Sequence, residues 1–201
     1  MILNLALVAI LLIVSFAVGR GGLLQAMGMF FAVLVAASLA SAWYEPFAAY
    51  LEKSLEPYRY FLDIAALWFL FAVIVVLFGA MVQFLTKRPV AFPKPVELIG
   101  CILVGLMAGW TVTEFAAFTL HTAPLRAGII PSAGSSMLFG LKPDRCWLWW
   151  MRGSSRNGPF AIAGKPFDPT DDFVERYAAK WKQLSADPVP DVQPPAPPPA
   201  Q

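Results

Sequence analysis

Glu114 is the residue of this chain whose position most needs a chemical explanation. It lies about six residues before the end of an apolar run, 98–120, beside Thr111 and Thr113. An ionisable group at the centre of a membrane helix costs about 2.5–3.5 kcal/mol on insertion scales, so each one there calls for a reason. A neutral carboxyl can donate a hydrogen bond to a neighbouring helix; a charged one needs a cation or a wet cavity. A structural hydrogen bond and a proton or ion pathway both fit. Asp63, at the mouth of another apolar run, suits a helix N-cap or an interface group. Asn4 and Gln83 stand near opposite ends of their runs and look interfacial.

Catalytic constellations are missing. His121 is the only histidine, so a Ser-His-Asp arrangement would have to use it at the membrane edge. Ser135 and Ser136 are not in a G-x-S-x-G setting. One histidine and two separated cysteines, Cys101 and Cys146, cannot make a usual zinc site. The cysteines should face different media, which argues against a disulfide. No P-loop or dinucleotide fingerprint occurs. The expectation is a protein without enzymatic activity, metal or cofactor. A net charge of +2 is too small to point to nucleic acid.

The elements that must position these residues come from hydropathy. Residues 2–18, 23–43, 64–85 and 98–120 are apolar runs of membrane-spanning length, since a helix needs roughly 20 such residues to cross the hydrocarbon. Only 14% of the chain is charged, against about 25% in soluble domains. Of the 15 Lys/Arg, 9 lie beyond residue 120. The fold class expected is therefore an all-α integral membrane protein: four spans over 1–120, then a partly helical tail. No basic segment precedes Arg20, and Ala40-Ser41-Ala42, although it imitates a cleavage site, lies too far in. Both first runs are read as retained spans.

Loop charges orient the bundle. Arg20 in the first loop, and Lys87, Arg88 and Lys94 in the third, place those loops in the cytoplasm by the positive-inside rule. Both termini are then outside. Trp43 and Tyr44, with Tyr58, Tyr60 and Trp68, would mark the outer boundary, as amphipathic rings prefer head groups. Between them, Glu45–Glu56 reads as a short amphipathic helix lying flat on the outer leaflet, with Phe47, Tyr50, Leu51 and Leu55 on one side.

Helices in lipid associate where small residues let backbones approach. Gly28, Ala32, Ala36 and Ala40 form such a stripe on the second span, widened by Ala37 and Ser41. Gly105 and Gly109 form a GxxxG on the fourth. Internal bundle contacts and homo-oligomerisation would use them equally well.

Beyond the spans, 121–187 comprises a connector, an aromatic segment and a short helix. Trp147, Trp149 and Trp150, between Arg145 and Arg152, fit a segment resting on the membrane surface. Asp171–Ser185 reads as a helix capped by Asp168 or Thr170, with Phe173, Tyr177 and Trp181 in a stripe that docks on the protein itself or on the bilayer. Residues 188–201 are Pro-rich and read as an unstructured end.

The N-terminal region resembles the colicin V production protein (CvpA) family. The residues that carry the likeness are Asn4, the hairpin Ala17-Val18-Gly19-Arg20-Gly21, Gln25, and the end of the Ala-rich second span from Ala42 to Leu51. The likeness covers about residues 1–120. An acidic residue that many members carry shortly after the first-span Asn is replaced here by Leu5, Ala6 and Leu7. The resemblance implies a bacterial inner-membrane protein connected with toxin production or export and with envelope homeostasis. The expected partners are the lipid bilayer and either a second copy or other envelope proteins. The function expected is a non-enzymatic scaffold or accessory factor, the alternative a small oligomeric transporter or channel with Glu114 in its path.

Overall fold

A computed structural model describes residues 2–53, 59–86, 92–123, 137–156, 160–161 and 166–186, which form helices joined by turns. The α-helices are α1 (Ile2–Gly19), α2 (Leu23–Glu52), α3 (Arg59–Leu85), α4 (Lys94–Thr119), α5 (Pro143–Ser155) and α6 (Phe173–Ala186), with 3₁₀ turns at Leu120–Thr122 and Leu138–Gly140. The chain reverses between α1 and α2 at Gly22, whose φ of 85° a residue with a Cβ rarely adopts. Pro95 lies in the first turn of α4, where its missing N–H leaves no helical bond unmade.

The first four helices are long and apolar enough to cross a membrane, with mean hydropathy from 1.8 to 2.7 over their most apolar windows. Their outer faces agree with that reading. Leu12, Ile13 and Phe16 on α1, Phe31 on α2, Val76 and Leu77 on α3, and Ile102 and Leu103 on α4 are all exposed. Soluble monomers rarely expose apolar patches above a few hundred Å², so a belt made from all four helices calls for lipid. The chain is a multi-pass membrane protein by these criteria.

α1 lies against α4 and α2 against α3, and α2 also meets α4. Small residues set the close approaches. A Cβ on Gly109 would collide with Ser15 Oγ and the Leu11 carbonyl of α1, and one on Gly105 with the Ser15 carbonyl. A Cβ on Gly28 would meet the Val82 side chain of α3. Ala32, Ala36 and Ala40 are buried inside the bundle. Both small-residue stripes are thus consumed by internal contacts.

Two expectations are corrected along α2. The helix runs through Pro46 without a break, so residues 45–52 prolong the second span and are no separate helix lying flat. Pro46 cannot donate to the Ala42 carbonyl, a loss of about 3 kcal/mol in a helix interior. Packing holds the helix on either side of it: Tyr44 and Ala48 are buried, and Phe47 stacks on Phe69 of α3 with centroids 5.8 Å apart. Tyr44 is also no boundary aromatic, because it is completely enclosed. Trp43 next to it is 52% exposed and keeps the expected outward position.

The aromatic segment of the tail is corrected more strongly: Trp147 of α5 is fully buried and does not rest on the membrane surface. Phe173 and Tyr177 of α6 dock on the protein itself, one of the two expected places, and join the same core as Tyr44, Phe71, Phe115 and Phe118. α5 and α6 therefore complete one end of the bundle. Before α5, Leu138, Phe139 and Lys142 all have φ between 46° and 55°, a conformation costing about 1–2 kcal/mol per L-residue. Met137 and Leu138 offset this by burying themselves against Leu7, Ala116 and Ala117.

Several expectations fall outside the described residues: the cations Lys87 and Arg88, Leu55, Glu56 and Tyr58, the side chains of Tyr60 and Trp181, Ser135 and Ser136, and the end 188–201.

Candidate functional site

Polar side chains gather where the tail meets the bundle. The first group joins α2, α3 and α6. Tyr44 and Tyr177 share a hydrogen bond of 3.0 Å, and the Tyr177 hydroxyl also lies 3.2 Å from Asp63 Oδ2, to which Lys180 donates. Asp63 is thus an internal residue of α3 that receives α6, and the N-cap alternative is set aside. Burial, then the Asp63 carboxylate, holds the Tyr177 phenol well above its ordinary range. It stays neutral and acts as a hydrogen-bonding group, not as a base or nucleophile. A cleft of about 490 Å³ opens beside these residues, with Glu45, Glu52 and Arg176 on its rim.

The second group fastens α5. Trp147 Nε1 donates to Ser41 Oγ at 3.0 Å, and Trp150 Nε1 donates to Ser38 Oγ at 3.1 Å. Two indoles three residues apart meet two serines three residues apart in reverse order, so α5 runs antiparallel to α2 here. A buried indole N–H needs an acceptor, and these serines supply one each. The matched spacing is present in the sequence, but a serine within an Ala-rich span reads there only as a small residue, and nothing local marks Ser38 or Ser41 as an acceptor. Trp149, 74% exposed, is the one of the three that faces outward as expected. His121 Nε2 lies 3.0 Å from Asp144 Oδ2, tying the end of α4 to the first turn of α5. Asn4, expected at an interface, instead accepts the Leu138 backbone N–H at 3.1 Å and secures the tail to the start of α1.

The third group orders the approach to α6. Asp168 Oδ1 accepts the Asp172 N–H at 3.1 Å, so Asp168 fixes the residue that immediately precedes α6 and is not itself the helix cap. Its carboxylate is enclosed, with Arg152 and Arg176 at 3.8 and 3.9 Å. Burial pushes its pKa up, while the Asp172 N–H and the two arginines act in the opposite direction. Arg152 completes the link through Asp171 at 2.6 Å.

Glu114 stands apart from all three. It is half-buried on α4 and lines a groove of about 530 Å³ between α2, α4 and α5. Burial, then Glu114 and Asp144, push the nearby Cys146 thiol up. Gly19, Arg20 and Gly21 form the α1–α2 turn with Ala17 just before it, and Arg20 lies 5.9 Å from the Phe16 ring. Among the described residues, no three His, Cys, Asp or Glu side chains gather as a metal site.

No family model, curated protein or solved structure matches this chain. What fold and composition define is a class: an all-α protein with four helices of membrane-spanning length and apolar outer faces.

Proposed function

We propose that this protein is a non-enzymatic membrane scaffold or accessory factor supporting an export or envelope process in the bacterial inner membrane, with both termini outside the cytoplasm. The carrying observation is that α5 and α6 share the bundle's core, so the tail forms a rigid polar cap on one end. Its charged rim, with Glu52, Arg176 and Lys180 at the cleft, offers a partner a fixed surface. The likeness of residues 1–120 to the colicin V production family supports the biological setting.

Photo-crosslinking in cells tests this reading. A reactive residue at Glu52 or Glu175 should capture a defined envelope protein, whereas one at Leu77 on the apolar belt should capture none. Equal or absent adducts at both places would remove the proposal. The transporter alternative draws on the side opening of the groove at Glu114. Proton-coupled flux in vesicles, lost in Glu114→Gln, would favour it over the scaffold.

A further inference from the structure

The groove at Glu114 is lined by residues of two kinds. Phe30 and Leu34 of α2 and Trp149 and Trp150 of α5 make it apolar and aromatic, while Glu114 of α4 and, at the start of α5, Lys142 and Arg145 supply its charges. The surface around it belongs to the lipid-facing belt, for Phe31 and Met107 on the same helices are 57% and 52% exposed. Lipid therefore reaches the groove, and the question is which head group the charges select.

One acid set against two cations is a complement to a zwitterion. Cations alone would favour any anionic lipid, but a second negative charge beside Glu114 opposes one with no cation of its own. The positive end of the α5 dipole adds to the attraction for phosphate near Lys142. The Glu114 carboxylate is acceptor-only when ionised, with two oxygens that can take an ammonium, and the Lys142 ammonium on the same groove supplies donors for a phosphate. A primary ammonium can donate hydrogen bonds to such a carboxylate; a trimethylated one cannot.

We propose that this groove holds one phospholipid whose head group carries both a phosphate and a primary ammonium, the ammonium on Glu114, the phosphate against Lys142 and Arg145, and an acyl chain along Phe30 and Leu34. The site does not rest on the scaffold reading: it lies where α5 meets α2 and α4, away from the cleft at Glu52, Arg176 and Lys180 that a protein partner would use.

The test uses the full-length protein in nanodiscs or detergent, with native mass spectrometry counting retained lipids of identical acyl chains. Phosphatidylethanolamine should bind about tenfold more tightly than phosphatidylcholine, the loss expected when a hydrogen bond to a charged group is removed. Mono- and dimethylated head groups should fall between them. Glu114→Gln should abolish that preference, and Lys142→Ala with Arg145→Ala should weaken retention of every phospholipid. Equal retention of ethanolamine, choline and glycerol head groups would overturn the proposal, as would an ethanolamine preference that survives Glu114→Gln. A preference for phosphatidylglycerol would overturn it too, because phosphate alone would then be the ligand. The methylation series is read on the unaltered protein, so the test stands even if a variant fails to fold.

Discussion

Tyr177 shows how much one hydroxyl can organise at the residue scale. It meets Tyr44 and Asp63 at once, linking three helices through a single oxygen. Tyr177→Phe keeps the ring and removes that oxygen, leaving Asp63 to Lys180 and Tyr44 to Glu45. A loss of about 1–2 kcal/mol is expected, read as a lower unfolding temperature in detergent. Asp168 gives a pH signature. Its pKa is raised in the folded state, so its contribution is fully present below its unfolded value near 3.8 and is lost as pH rises through the folded value. Docking of the tail should therefore strengthen as pH falls from neutral toward about 4. Asp168→Asn retains an acceptor for the Asp172 N–H but cannot titrate, and this acid-side gain should vanish from the pH profile of protease protection.

The elements obey two different constraints. α1 and α4 approach through glycines, and Gly109→Ala should cost about 1–3 kcal/mol because the new methyl meets backbone and Ser15 together. Gly153, on the exposed face of α5, has open space around its Cβ position. Gly153→Ala should instead gain about 0.5–1 kcal/mol from helix propensity alone. Thermal unfolding of the two variants side by side separates the effects; equal shifts would contradict the close α1–α4 contact. The small-residue stripes were legible in the sequence, but not their partners. α2 teaches a complementary lesson. The amphipathic spacing of Phe47, Tyr50, Leu51 and Leu55 suggests a second, flat helix, but the burial of Tyr44 and Ala48 and the stacking of Phe47 on Phe69 carry α2 straight through Pro46.

At the scale of the whole molecule, the start of α1, the end of α4 and both tail helices meet at one end, joined by Asn4–Leu138 and His121–Asp144. Our orientation puts that end outside the cytoplasm. A periplasm-active reporter fused after Asp187 should be active, and one inserted within 91–94 inactive; the reverse pattern would turn the bundle over and move the proposed partner surface to the cytoplasm. Trp147→Ala examines the same assembly from within. It empties a fully buried site and should cost about 3–5 kcal/mol, releasing α5 to proteolysis while α1–α4 keep their helical signal.

The sequence alone determined the four spans, the apolar class and the place of the small residues, because hydropathy and helical spacing are local and add up along the chain. It also pointed to Asp168 as one of two residues ordering the start of α6, through a contact only four residues long. Tertiary structure decided the fate of the aromatic and polar side chains. A tryptophan between cations prefers the head groups unless a distant acceptor reaches its N–H, and for Trp147 that acceptor is Ser41, 106 positions away. Tyr44 is enclosed because Tyr177, 133 positions on, supplies its partner. Glu114 stands out in the sequence as an ionisable group within an apolar run; only the fold brings it to one groove with Lys142 and Arg145, because those residues reach it from the start of α5.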